Sequence, residues 1–207
     1  MKKIILTLAV VSSMIFTSCS EDDTTVTEAV VFKEVKNLHA PQTTDYTVNP
    51  PATAGEFTKF SFKTGAVVTD DSWDLAFRGT TILVNGGVEV GGLVDEPTRS
   101  GDASLALETG TFADISIAPV AANFKQDVAG SYALASGSGS GWYTYAGAPT
   151  HAINPIAGKI IVVKTIDGNY AKMEILSYYK DQDATSDSRY YTFNYVYNPN
   201  VGDKDFQ

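Results

Sequence analysis

Hydrophobic and polar positions in this chain alternate over short runs. From Lys159 to Thr165, four β-branched residues stand in a row, Ile160, Ile161, Val162 and Val163. A run this short predicts a strand buried on both faces rather than a helix. Asp167-Gly168 follows, a dipeptide that tolerates positive φ and closes tight hairpins. Tyr170 to Tyr179 is then the returning strand, with Lys172 and Glu174 on one face and Met173 and Ile175 on the other. A third run, Arg189 to Asn198, places Tyr191, Phe193, Tyr195 and Tyr197 on one face. Three consecutive antiparallel strands form a meander, and the upstream chain must supply what covers it.

The upstream pattern supplies partners. Val30 to Val35 has strand composition. Asn37 to Gly55, with Pro41, Pro50 and Pro51, predicts an irregular lead-in that contains His39. Phe57 to Val68 returns to strand, with Phe60 and Phe62 on one face. Ser72 to Asn85 is a second anchor, in which Trp73, Leu75 and Phe77 alternate with Asp74, Ala76 and Arg78 before Gly86-Gly87 ends the run. Val88 to Gly110 is Gly-rich and acidic, with few strand formers in a row. Ile115 and Ile117 suggest a short strand within Thr111 to Val120, and Phe124 with Val128 forms a weak helical pair. Ser136 to Gly141 is flexible and low in complexity, and it leads into Gly141 to Tyr145. Ala146 to Gly158 reads as a loop that carries His151. The expected fold is all-β, an antiparallel β-sandwich or open barrel of some nine or ten short strands with at most one helix.

Composition narrows the function. The chain has 207 residues, enough for one domain with a sizeable core, and its formal charge of −9 argues against nucleic acid or anionic lipid head groups as partners. The 11 tyrosines suit half-buried strands and ligand-facing surfaces. With one cysteine there is no internal disulfide. That cysteine sits just after a signal-peptide pattern over residues 1–18, in which Lys2 and Lys3 precede an apolar core from Ile4 to Phe16. Such a core spans only about 20 Å as a helix, short of the roughly 30 Å of a bilayer interior. The sequence FTSCS resembles a bacterial lipobox, which would make Cys19 the lipidated first residue. The other reading is a cleaved secretory signal with an incidental thiol. Glu21-Asp22-Asp23 resembles the acidic tag that sends some lipoproteins to the outer face of the outer membrane. Residues 19–29 are then an acidic tether and residues 30–207 the binding domain.

Catalytic motifs are absent. No GxSxG elbow, phosphate loop or Cys-x-x-Cys zinc pattern occurs. Asp95 to Asp102 lacks calcium-loop spacing and is expected to be a solvated loop. The chemically suggestive stretch is Tyr132 to Pro155, which gathers Tyr132, Trp142, Tyr143, Tyr145 and His151 around flexible glycines. Aromatic faces with one imidazole suit a flat, apolar, metal-containing ligand. The plainer alternative makes Trp142 and Tyr145 strand core and His151 a solvated loop residue.

Several blocks, in this order, resemble the HmuY family of haem-binding surface lipoproteins. They are WDLAF (Trp73 to Phe77), NGG (Asn85 to Gly87), GWYTY (Gly141 to Tyr145), KxxVVKTxDGNYAK (Lys159 to Lys172) and YTFNYxY (Tyr191 to Tyr197). The resemblance implies an all-β haemophore, not an enzyme. Such a protein takes haem from host or partner haem proteins and passes it to a TonB-dependent outer-membrane receptor. Family members hold the iron between paired His or paired Met side chains. Here the corresponding position near the GW strand is Gly147, with His151 four residues further on, and the loop that carries the second ligand is shortened to SYALASGSGSG. The resemblance therefore makes His151 the candidate metal ligand. Tyr143, Tyr145 and Tyr132 are the candidates for a second ligand or a stacking wall. Two alternatives stand beside haem capture. One is a member that has lost haem and binds another apolar ligand or a partner protein. The other is a glycan-binding or adhesion domain using Tyr179 and Tyr190.

Overall fold

The computed structural model describes residues 27–207. The expected signal peptide, Cys19 and the acidic run after it lie outside the described residues. Thirteen strands are present among the described residues. In order they are β1 (Val31–His39), β2 (Thr43–Asp45), β3 (Ala52–Ala54), β4 (Thr58–Ser61), β5 (Ala66–Val67), β6 (Leu75–Arg78) and β7 (Thr81–Val84). They continue with β8 (Ser104–Thr109), β9 (Tyr143–Tyr145), β10 (Ile153–Pro155), β11 (Lys159–Lys164), β12 (Tyr170–Tyr179) and β13 (Ser188–Asn198). The only helical turns among the described residues are two 3₁₀ turns, Ala121–Asn123 and Lys180–Gln182.

The predicted meander is the centre of the molecule. A five-stranded antiparallel sheet runs β1-β13-β12-β11-β8, and a four-stranded sheet runs β5-β4-β6-β7. The alternation of β13 points Tyr191, Phe193, Tyr195 and Tyr197 at the second sheet. There they meet Phe60, Phe62, Leu75 and Phe77 in one core. Phe60 makes edge contacts with Phe193 and Tyr195 at 5.4 and 6.0 Å between ring centres. This is the expected antiparallel all-β fold, realised as a sandwich.

The outer faces are also covered. Ile160, Val162 and Tyr170 on the large sheet pack under Phe112, Ile115, Phe124 and Phe206. The β11 run is therefore buried on both faces, as its four β-branched residues predict. On the small sheet, Trp73, Ala76 and Leu83 lie under Phe57, Val90 and Tyr132. Lys172, on the outer face of β12, is caged. Its ammonium donates to the carbonyls of Phe112 at 2.6 Å and Ile115 at 2.9 Å, and it lies 4.4 Å from the centre of the Phe112 ring.

Several local expectations are corrected. Asn37 to Gly55 is not an irregular lead-in, because β1 extends to His39 and β2 pairs with β3. The Gly-rich stretch before Gly110 supplies β8, which pairs along all of β11. Ser72 to Asn85 is two strands turning at Gly79-Thr80. Thr111 to Val120 forms no strand beyond a single bridge between Ile117 and Asp205. The Phe124–Val128 segment is not helical, and Lys125 instead exchanges backbone hydrogen bonds with Leu105. Residues 146–158 contain β10 rather than loop alone. The acidic loop is solvated at Asp95, Thr98 and Asp102 but not at its centre. Arg99 bridges Glu96 at 2.8 Å and Asp127 at 2.9 Å, and all three side chains are under 5% exposed.

Candidate functional site

The glycine-rich stretch ends where a hairpin begins. Ser138 Oγ accepts the Tyr145 N–H at 2.8 Å, and Gly139 N–H donates to the Tyr143 carbonyl at 2.8 Å, so the loop folds back along β9. β9 pairs with β10, placing Tyr145 opposite Ile153 and Tyr143 opposite Pro155. The connection closes through Ala146 N–H to Ala152 O and His151 N–H to Gly147 O, at 2.8 and 2.7 Å. Gly147 and His151 both take positive φ, 72° and 51°. Glycine adopts this readily and histidine does so at a cost.

Beneath the hairpin is an aromatic floor. Trp142 is buried, donates its Nε1–H to the Thr80 carbonyl at 3.1 Å, and packs on Tyr143, Tyr178 and Tyr191 with centroids 4.9 to 5.7 Å apart. Tyr191 donates to the Gly79 carbonyl at 2.8 Å, and the Tyr179 hydroxyl accepts the Ile153 N–H at 2.9 Å. Burial pushes the Tyr178 and Tyr191 hydroxyls well above the ordinary tyrosine range. They are neutral phenols at any physiological pH, suited to packing and donating rather than to ligating iron as phenolates.

An open cleft of about 810 Å³ lies above this floor. The β9–β10 hairpin contributes Thr150, His151 and Ile153, the β6–β7 turn contributes Gly79 and Thr80, and residues 184–189 close the far side. Tyr178 and Tyr179 line its base.

The predicted residues divide three ways. His151 lines the cleft, and Tyr145, which does not, hydrogen-bonds its Nδ1 from behind. Tyr143 is buried in the floor. Tyr132 is not gathered with them, because it packs in the cluster outside the small sheet, where burial and Glu96 raise its pKa. Trp142 is core, Tyr145 is 46% exposed rather than strand core, and His151 is an exposed residue at the edge of the cleft. Met173 is fully buried core. His39 stacks on Tyr190 at 4.4 Å and does not line the cleft. Tyr179 faces the cleft while Tyr190 pairs with His39, so the two do not make a common sugar platform. The sequence reading missed Tyr178 and Arg189, and it offered Tyr179 only as half of a sugar platform. The consecutive tyrosines at the end of β12 were an available signal, whereas nothing in DATSDSR marks a cavity wall.

Among the described residues no group of three or more His, Cys, Asp or Glu side chains converges to hold a bare metal ion. A porphyrin iron needs only axial ligands. An imidazole whose Nδ1 is hydrogen-bonded and whose other nitrogen is left for a metal is the usual protein arrangement.

A sequence-family model described as HmuY protein matches residues 53–195. The chain belongs to the HmuY family. HmuY is a family of binding proteins of the haemophore type rather than of enzymes. Among solved structures, the apo HmuY analogue TFO of Tannerella forsythia aligns at 14% identity with a TM-score of 0.49, covering 84% of this chain and 100% of that one. An HmuY-like protein of Bacteroides vulgatus ATCC 8482 aligns at 16% identity with a TM-score of 0.49, covering 85% and 98%. A search of curated protein sequences gives no match. No helix among the described residues of this HmuY-family chain is long and apolar enough to cross a membrane.

Proposed function

We propose that this HmuY-family protein is an outer-membrane lipoprotein, anchored through Cys19, that captures haem in the His151 cleft and passes it to a TonB-dependent receptor. The observation that carries this reading is the pairing of an imidazole at the cleft with a hydroxyl on its Nδ1. Bound haem supplies an iron with axial positions open to a protein donor. His151 would hold it through Nε2, Tyr145 would fix the imidazole tautomer and angle, and Tyr178 and Tyr179 would pack against the ring.

The long strands favour capture away from the membrane. The N-terminal segment is tied at Glu28, which exchanges two 2.8 Å hydrogen bonds with Asn200 just beyond one end of β13. The cleft wall at Ser188 and Arg189 begins the other end, 11 residues away. At about 3.3 Å per residue that is roughly 35 Å from the point where the tether enters.

The cleft contains no second histidine and no methionine among its described lining residues. One axial bond from the protein holds haem less firmly than two, which suits a carrier that must release its cargo. The same observation favours the second reading, a family member whose ligand is apolar but not haem.

Haemin titrated into the purified chain, beside His151→Ala, tests the proposal. The expected result is a saturable Soret band at one haem per chain with a high-spin, single-histidine character, lost in the variant. A saturable band that survives His151→Ala moves the ligand elsewhere. No band in either oxidation state refutes haem capture and leaves the second reading.

A further inference from the structure

The cleft has one guanidinium and no other cation. Arg189 lines it beside Thr150, Ser186 and Ser188, and the only carboxylate in the same wall is that of Asp187. No carboxylate among the described residues lies within ion-pair distance of Arg189. Its position is set by the sheet. Between Tyr179, opposite Ser188, and Ser177, opposite Thr192, the register of β13 slips and the strand bulges. Within the bulge Arg189 takes φ 73°, and its carbonyl accepts the Ala40 N–H at 2.8 Å, which pins the backbone to the end of β1. A positive φ is costly in arginine, and bulges are a common means of re-aiming one side chain beside a binding site.

We infer that Arg189 is the anion-reading residue of this cleft, and that its ligand is a planar apolar molecule bearing at least one carboxylate. The inference rests on the haem-capture reading and adds to it which part of the ligand is recognised and by which residue. The two chemistries divide the cleft. The aromatic floor takes the flat apolar body and His151 the metal. The guanidinium, set among hydroxyls, takes the acid group, for which its fork of donors is suited. In an acidic chain with a formal charge of −9, a lone cation at the cavity also marks where an anionic group is tolerated.

The test compares haemin with its dimethyl ester on the wild-type chain, Arg189→Gly and Arg189→Lys. Glycine takes φ 73° without strain, so Arg189→Gly deletes the side chain while leaving the bulge intact, and its unfolding midpoint checks this. Arg189→Gly is expected to bind haemin roughly tenfold or more weakly, with the Soret maximum unmoved because His151 is untouched. Arg189→Lys should fall between, and the ester should bind all three proteins alike. If Arg189→Gly binds haemin as tightly as the wild-type chain, the role of Arg189 is refuted while haem capture stands. Equal weakening for haemin and ester also refutes it, because it shows a structural effect without carboxylate recognition. If the wild-type chain binds neither compound, the haem reading fails and this inference fails with it.

Discussion

Asp74 offers a test of the architecture that is independent of any ligand. It lies in the Trp73 to Phe77 block, is 1% exposed, and its carboxylate accepts the Phe62 N–H at 2.8 Å and the Ile166 N–H at 3.0 Å. It therefore ties the end of β4 to the β11–β12 hairpin, one sheet to the other. Burial raises its pKa from 3.8 to about 6, even though the two backbone N–H groups favour the charged form. Between pH 4 and 6 the folded chain thus holds a proton at Asp74 that the unfolded chain has released. Stability from this residue must then fall as pH rises through that window, by about 3 kcal/mol at most. Asp74→Asn cannot titrate, and its single carbonyl satisfies only one of the two N–H donors. Urea unfolding of both proteins from pH 4 to 7 should show the wild-type advantage shrinking with pH, by roughly 2–3 kcal/mol across the window. Parallel profiles would refute the argument, because they would mean that Asp74 carries the same charge folded and unfolded.

Two further outcomes follow from named contacts. Lys172→Ala should cost roughly 2–4 kcal/mol, measured as a lowered denaturation midpoint. It orphans the Phe112 and Ile115 carbonyls and removes the stem packed under Phe112 and Phe206. Lys172→Met keeps the volume and should lose less. Tyr145→Phe removes the hydroxyl on His151 Nδ1 from a side chain that is 46% exposed. It should weaken haemin binding about tenfold while leaving the melting temperature within a degree or two, and a lowered melting temperature with unchanged affinity would contradict that role.

The parts of the fold that were legible in the sequence share one physical property. β11, β12 and β13 carry period-two or continuous apolar patterns because both sheet faces are buried by sequence-distant partners. The parts that were not legible lack it or carry it too briefly. β8 reads SLALET, in which only Leu105 and Leu107 alternate into the core, directly after a Gly-rich run that masks so short a pattern. The cover segment from Thr111 to Phe124 buries apolar side chains without regular backbone, so its hydrophobics imitate a strand or a helix. Glu96 and Arg99 read as solvated because nothing nearby in sequence names Asp127 as their partner. The site was half legible. His151 and Tyr145 lie six residues apart on one hairpin, whereas Tyr178, Tyr179 and Arg189 reach the cleft only through strand pairing.

The blocks that carry the family resemblance mostly hold the scaffold, and Tyr145 of the GW block, on His151 Nδ1, is the exception. Asn85 of the NGG block is fully buried. It donates to the carbonyls of Asp71 and Trp73 and accepts the N–H groups of Ser100 and Gly101, which exhausts its four hydrogen bonds. Gly86 beside it abuts the Ala103 carbonyl so closely that no Cβ fits. Asn169 of the hairpin block donates to Asn198 O at 3.1 Å, and Trp142 of the GW block reaches Thr80 O across the sheets. Each of these contacts needs one residue type at one place, so such blocks stay recognisable wherever the fold is kept. The groups proposed to meet the ligand obey no such constraint. His151 stands in an exposed hairpin loop and Arg189 in a bulge. Loops of this kind can exchange side chains without disturbing Asp74, Asn85 or Trp142. Family membership here therefore transfers the sandwich, and the ligand chemistry must be read from His151, Tyr145 and Arg189 themselves.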